Sequence, residues 1–148
     1  MEEYMALPEK KAYDQYKETQ ITTANQGKLI VMLYDGAIKF LNIATENMRP
    51  KTYDVVNNNI LKTQDILSEL ILSLNMKEGG EISNNLLSLY MYFKKKLLEA
   101  NINKDPKILK DVIIHLKELR DAWEKISANE AKSDKIIVEN KGSFSIEG

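Results

Sequence analysis

The sequence predicts an all-α protein, folded as an antiparallel four-helix bundle with a mobile N-terminal arm. The prediction rests first on glycine and proline, which act as breaks: six glycines and three prolines leave long windows free of both residue types. In four of these windows, apolar residues recur at the three- and four-residue spacing of an amphipathic helix. The connections between the windows are short, so neighbouring helices are expected to run in opposite directions. No strand-like alternation covers a comparable length.

The first helix is predicted from about Asn25, a plausible N-cap, to Met48. Its apolar face carries Leu29, Leu33, Ala37, Phe40 and Ala44. The dipeptide Arg49-Pro50 ends it, since the residue before a proline disfavours helical geometry. Gly36 lies inside this helix, where glycine costs about 1 kcal/mol relative to alanine. Close approach of a neighbouring helix is the favoured explanation, and contact with a bound partner is the alternative.

The second helix is predicted from about Thr52 to Leu74, with a break at Glu78-Gly79-Gly80. Its core face carries Val56, Ile60, Leu67, Leu70, Ile71 and Leu74. The third helix is predicted from about Ile82 to Asn101, and its core face carries Leu86, Tyr90, Phe93 and Leu97.

The fourth helix is predicted to begin at Pro106, with Asp105 as its N-cap. It carries an alternating three-and-four seam typical of bundles, formed by Leu109, Val112, Leu116, Leu119, Trp123 and Ile126. Trp123 is interpreted as a packing anchor of that seam. Tyr34 and Asp35, beside the first apolar stripe, are expected to take part in a structural hydrogen-bond network.

A chain of 148 residues fits one folded domain. The expected division is an N-terminal arm at 1–24, a bundle domain at 25–128 and a flexible C-terminal tail at 129–148. The arm holds charges and tyrosines with little periodicity. The tail has only modest alternation and no evident partner strand.

Composition excludes several classes of function. The net charge of -1 gives no steering toward nucleic acid or an anionic membrane. The longest apolar run, LIVMLY, is far below the roughly 20 residues that a membrane helix needs. The first eleven residues lack the apolar stretch of a secretory signal peptide, and there are no cysteines. A cytoplasmic protein without membrane insertion is therefore expected.

The sequence offers no catalytic, metal or cofactor motif. His115 is the single histidine, and position 112 is Val112, so the Glu-x-x-His ligand pattern of di-iron bundles is absent. One histidine without cysteine also argues against the common zinc sites. Gly79-Gly80 has neither the preceding strand nor the following Lys-Ser/Thr of a phosphate loop. We expect no cofactor, no catalysis and a surface position for His115.

A second apolar stripe lies away from the predicted core faces of the second and third helices. Its members are Leu61 and Leu72 on one helix and Leu87, Met91 and Leu98 on the other. Each set spans eleven residues, about three helical turns. A wide core is one explanation, and pairing between subunits or binding of a partner is the other. Partner or subunit contact is favoured, because apolar patches outside a core usually mark interaction surfaces.

Four segments together resemble a known family. They are YDQYKETQITTANQGKLIVMLYDGAIKFL (13–41), ILKTQDILSELILSLN (60–75), LLEANINKD (97–105) and LRDAWEKI (119–126). In order and spacing they are similar to the flagellar secretion chaperone family FliS. The resemblance covers about Tyr13 to Ile126.

The resemblance implies a function as well as a fold. Chaperones of this family bind the C-terminal region of flagellin, prevent its premature polymerisation and keep it competent for flagellar type III secretion. It also implies that the N-terminal arm covers an apolar groove until the client displaces it. Tyr16 and Ile21 match the arm positions of the family. The predicted client-binding residues are therefore Tyr16, Ile21, Leu61, Leu72, Leu87, Met91 and Leu98.

The implied partners are flagellin and the flagellar export apparatus. A different class of protein stays open: a dimeric structural or regulatory bundle that pairs through the second stripe and has no export client.

Overall fold

A computed structural model describes the backbone of residues 26–147 and the side chains of residues 26–129. It contains α1 (Gln26–Glu46), a 3-10 turn (Pro50–Thr52), α2 (Tyr53–Leu72), α3 (Gly80–Asn103) and α4 (Pro106–Glu147). Over residues 26–147 there is no strand. The all-α prediction and the order of the four helices are confirmed. The predicted arm at 1–24 and the cap residue Asn25 lie outside the described residues.

The chain divides into two compact units, and the larger one is Met32–Asp121. This unit contains most of α1, all of α2 and α3, and residues 106–121 of α4, which together form the four-helix bundle. A Cβ atom on Gly36 would lie 3.2 Å from Ile66 Cδ1, and Lys62 Nζ lies 5.3 Å from the centre of the Phe40 ring. Advancing four residues along α1 thus moves back four along α2, so these helices are antiparallel.

Two more contacts fix the directions of the other helices. Phe93 in α3 and His115 in α4 lie eleven and ten residues on either side of the connection at 104 and 105, and their rings stack with centres 6.2 Å apart. Lys104, at the end of α3, donates a 2.6 Å hydrogen bond to Asn57, near the start of α2. Both helix pairs are therefore antiparallel, as the short connections predicted.

The core of Met32–Asp121 is built from all four helices. Its fully buried side chains are Tyr34, Ala37, Leu41, Ala44, Val56, Leu67, Leu70, Phe93, Leu97, Ala100, Leu109 and Leu116. Most lie on the predicted faces, while Ile71 and Leu74 are only half-buried. The contact at Gly36 supports the close-approach explanation, since the Ile66 side chain of α2 packs against α1 where a Cβ atom would lie.

In the second unit, the described residues are 26–31 and 122–147. Ile30, Val31 and Ser127 are buried there, and Trp123 is half-buried. The prediction that Ile126 belongs to the core seam is wrong, because its side chain is 45% exposed.

The helix termini show which sequence signals act. The backbone N–H of Lys107 donates a 2.9 Å hydrogen bond to Asp105 Oδ1, the bond expected of an N-cap before Pro106. At the other break, Gly80 has a φ of +53°, in the left-handed region that glycine enters at no steric cost. The predicted cap and the predicted break are both confirmed.

The fourth helix is longer than predicted. Its backbone stays helical to Glu147, whereas the loss of apolar periodicity predicted an end near Ile126. Pro106 is the last proline of the chain, so no later proline interrupts the helix, although Gly142 lies within it. The proposed boundary at 128 and 129 therefore does not coincide with a helix end, and the flexibility of the segment beyond it stays a prediction.

Candidate functional site

The second apolar stripe is largely exposed to solvent. Leu72 is 80% exposed, Leu61 and Leu98 are each 58% exposed, and Met91 is 53% exposed. Leu87 is half-buried. The wide-core explanation is therefore excluded for four of the five side chains, because a core residue would be shielded by its neighbours.

The two halves of the stripe lie along the same seam between α2 and α3. Gln64 Nε2 donates a 3.0 Å hydrogen bond to the carbonyl of Lys94, so these two residues lie at one level of the bundle. Because the helices are antiparallel, Leu61 lies level with Leu98. By the same counting, Leu72 lies level with Leu87.

Helical geometry also puts the two halves on the same side of the seam. At 100° per residue, Leu61 and Leu72 are rotated from Gln64 away from the core, and Met91 and Leu98 are rotated likewise from Lys94. These residues border one strip of solvent-facing surface about three turns long. We call Leu61, Leu72, Leu87, Met91 and Leu98 the α2–α3 surface.

Sequence reasoning missed some exposed apolar side chains. Ile102 is 71% exposed and follows Leu98 by four residues, so it extends the α2–α3 surface by one turn. That spacing was readable from the sequence. Ile82, Tyr92 and Ile114 are also exposed, but no spacing connects them to the stripe.

Two hydrogen bonds cross the seam below the α2–α3 surface in opposite directions. Besides the bond from Gln64 Nε2, Lys94 Nζ donates a 3.2 Å hydrogen bond to the carbonyl of Gln64. The same carbonyl accepts a 3.1 Å hydrogen bond from Ser68 Oγ. This reciprocal pair ties α2 to α3 about one helical turn from the Leu61 end of the strip.

The end of the seam is fixed by Lys104, which caps α3 in a left-handed conformation with a φ of 50°. Its ammonium group donates hydrogen bonds to the side-chain oxygens of Asn57 and Asn101. It also lies 5.3 Å from the centre of the Tyr53 ring, within the range of a cation–π interaction. One lysine therefore joins the C-terminus of α3 to the first turns of α2.

A buried tyrosine pair supports α3 from the opposite side. The hydroxyls of Tyr34 and Tyr90 are 2.6 Å apart, and both side chains are almost fully buried. Burial raises the pKa of Tyr90 above its usual value of 10.0, and the hydrogen bond between Tyr90 and Tyr34 lowers it in part. With the Asp35–Arg120 ion pair, this gives the structural network predicted for Tyr34 and Asp35.

Apart from apolar contact surfaces, the described part of the chain has few features that point to a function. His115 is exposed and stacks on the buried Phe93 ring, with ring centres 6.2 Å apart. Among the described residues, no group of three or more His, Cys, Asp or Glu side chains is placed to hold a metal ion. None of the helices searched in the described part is long and apolar enough to cross a membrane. Tyr16 and Ile21 lie outside the described residues.

Fold and surface together define a class of protein: a small helical bundle with a long strip of apolar side chains outside its core. Surfaces of this kind on a bundle suit binding of another polypeptide, because an amphipathic helix can lay its apolar face along them.

Comparison with known proteins identifies the family within this class. The profile described as "Flagellar protein FliS" matches residues 9–130. A flagellar secretion chaperone FliS of Bacillus subtilis is 32% identical over 120 residues, which cover 81% of this chain and 89% of the relative. The flagellar secretion chaperone FliSB of Pseudomonas aeruginosa is 32% identical over 123 residues, covering 82% and 98%. The FliS of Salmonella typhimurium is 33% identical over 119 residues, covering 79% and 88%. The chain belongs to the FliS family of flagellar secretion chaperones.

The matched region contains the whole bundle and stops short of the end of α4. It includes the α2–α3 surface, the seam below it and the residues around Tyr16 and Ile21. The helical backbone of 131–147 lies beyond the match.

Proposed function

We propose that this protein is a cytoplasmic, non-catalytic export chaperone that binds the C-terminal region of flagellin. By holding that region it prevents premature polymerisation and keeps flagellin competent for flagellar type III secretion. The observation that carries the proposal is the α2–α3 surface, where large apolar side chains face solvent on a bundle that buries other large apolar side chains in a core.

Binding is favoured in proportion to the exposed apolar area that the partner removes from water, by about 25 cal/mol per Å². A client that is disordered before binding loses conformational entropy on docking, so it needs several apolar anchors to bind. Five apolar side chains in two rows supply such anchors along about three helical turns. Met91 adds adaptability, since its flexible thioether can repack against different client side chains.

Membership of the FliS family supports the choice of client. The relatives are named flagellar secretion chaperones, and their name connects them to the flagellar export pathway. The resemblance to this family implies flagellin as the client, and the C-terminal region of flagellin mediates subunit packing in the filament. A chaperone that covers this region blocks assembly before export, after which the export apparatus takes the client over.

The N-terminal arm is proposed to regulate access to the bundle domain, taken as residues 25–128. Tyr16 and Ile21 are the arm residues that we assign to this role. An arm tethered to the domain has a high local concentration, so even weak apolar contacts keep a surface covered. A client with more apolar anchors displaces it.

Isothermal titration calorimetry tests the proposal. The protein is titrated with a peptide of the C-terminal forty or so residues of the same organism's flagellin, and with a peptide of the same composition in scrambled order as control. We expect saturable one-to-one binding with a negative heat-capacity change, the mark of apolar burial. Absence of binding by a folded protein at every temperature tested would overturn the proposal.

The same surface suits one other occupant, a second copy of this chain. In that case the protein would be a structural or regulatory dimer without an export client. Sedimentation equilibrium at increasing concentration distinguishes the two. A dimer that Leu61→Asp dissociates, together with no flagellin binding, would favour the alternative.

A further inference from the structure

The seam below the α2–α3 surface contains a buried hydrogen-bond acceptor. Gln64 uses its Nε2 group to donate to the carbonyl of Lys94, which leaves its side-chain oxygen as an acceptor only. This Oε1 atom is buried, and within the described part of the chain no group donates a hydrogen bond to it. A buried acceptor without a donor destabilises the protein that contains it, so a ligand that supplies the donor gains binding free energy.

The Lys94 side chain crosses the seam at the level of Gln64. Its ammonium donates at 3.2 Å to a carbonyl that already accepts from Ser68 Oγ at 3.1 Å. Moving Lys94 therefore leaves the carbonyl of Gln64 with a partner and returns an ammonium group to water. A long, half-buried lysine can make this movement by changing rotamers.

We infer that Gln64 Oε1 is the specificity-determining acceptor of the α2–α3 surface and receives a hydrogen bond from a side-chain amide or hydroxyl of the client. The inference rests on the proposed function and adds a polar requirement to it. On binding, the client moves Lys94 aside and donates to Gln64.

The position of Gln64 gives the spacing that the client needs. Gln64 lies three residues after Leu61 and eight before Leu72, or about 4.5 Å and about 12 Å along the helix axis. A helical client segment therefore has two apolar anchors about eleven residues apart. Its donor lies three or four residues from the anchor that meets Leu61.

A single polar contact within an apolar surface fixes the register of the bound segment. Apolar stripes bind with little preference for register, because sliding by one turn exchanges one apolar contact for another. A single buried polar pair removes that freedom, as buried asparagines do in coiled coils. Gln64 would thus select one register of the client, and so one stretch of sequence among several amphipathic ones.

The test uses the flagellin peptide and a series in which each Asn, Gln, Ser and Thr is replaced in turn by alanine. Each peptide is titrated into the wild-type protein, Gln64→Met and Gln64→Glu. With the wild type, we expect replacement of one donor to weaken binding about fivefold. With Gln64→Met the same replacement changes affinity by less than twofold. Gln64→Glu keeps an acceptor oxygen, so it keeps the sensitivity to that donor.

A second measurement uses only the wild-type protein, so it does not depend on whether the variants fold. In the wild-type protein, the side-chain amide resonances of Gln64 shift on addition of the donor peptide and shift less with its alanine version. The outcomes separate the two proposals. If no peptide binds the wild type, the proposed function fails and this inference with it. If the peptides bind, but no replacement of a donor changes the affinity differently in the wild type and in Gln64→Met, this inference alone is overturned.

Discussion

Replacing Leu72 by aspartate separates binding from folding, because Leu72 is the most exposed residue of the α2–α3 surface. Leu72 is 80% exposed, so about one fifth of its surface contributes to the folded state. Full burial of a leucine stabilises by about 1.5–3 kcal/mol, which leaves about 0.3–0.6 kcal/mol at this position. An acidic residue at the end of α2 also meets the negative end of the helix dipole, at a cost of about 0.3–1 kcal/mol. The free energy of unfolding should therefore fall by no more than about 1.6 kcal/mol.

Leu70, two residues earlier, is the matched control. Its side chain is fully buried, so Leu70→Ala should lower the free energy of unfolding by about 2–5 kcal/mol. Binding should show the reverse order. A client that covers the exposed four fifths of Leu72 gains about 1.2–2.4 kcal/mol there, so Leu72→Asp should weaken flagellin-peptide binding about tenfold or more.

Urea denaturation followed by far-ultraviolet circular dichroism gives the unfolding free energies, and titration calorimetry gives the affinities. The reasoning is refuted if Leu72→Asp destabilises the fold as much as Leu70→Ala does. It is also refuted if Leu72→Asp and Met91→Asp both bind the peptide as tightly as the wild type.

Four further predictions test the fold. Tyr34→Phe should lower the free energy of unfolding by about 1–3 kcal/mol, because it leaves the buried Tyr90 hydroxyl without the partner 2.6 Å away; equal stability in urea denaturation would contradict this. Because burial raises the pKa of Tyr90, the folded state keeps a proton that the unfolded state loses as the pH rises above about 10.0. The free energy of unfolding should therefore fall above that pH, and it should fall less steeply in Tyr90→Phe. Equal pH slopes in the two proteins would exclude Tyr90 as the cause. Gly79→Ala should cost about 1–3 kcal/mol, since its Cβ would lie 2.8 Å from Ser83 Cβ; an unchanged thermal midpoint would show that the turn adapts. Both Lys104→Ala and Lys104→Gly lose the side-chain bonds, but only glycine relieves the φ of 50°, so the glycine variant should be more stable by about 1 kcal/mol; the reverse order would count against strain there.

Local signals made the helices predictable from the sequence. Asp105 and Pro106 mark the start of α4 because an N-cap and a proline at the first position act within one turn. The breaks at Pro50 and Gly80 are local in the same sense. The end of α4 was missed because the prediction relied on apolar spacing, which fades after Ile126, while helical backbone continues to Glu147.

The candidate site was predictable in part for a related reason. Leu61 and Leu98 could be placed outside the core faces from spacing alone, and their exposure confirms that placement. Contacts between residues distant in sequence could not be found in this way. Nothing in the sequence pairs Gln64 with Lys94, because side-chain hydrogen bonds across a seam depend on the register of two packed helices.

The tyrosine pair illustrates the same limit. Tyr34 was expected to need a polar partner, and Tyr90 was placed on a core face, but 56 residues separate them. Only the packing of α1 against α3 brings the two hydroxyls together.

The central claim is that flagellin's C-terminal segment covers the α2–α3 surface. The most direct test is nuclear magnetic resonance of the methionine methyl groups, with the flagellin peptide added to saturation. We predict that the methyl group of Met91, 53% exposed in the free protein, shifts and shows nuclear Overhauser effects to the peptide. Met48, in the connection between α1 and α2, should keep its resonance position. A bound peptide that leaves Met91 unchanged would contradict the account.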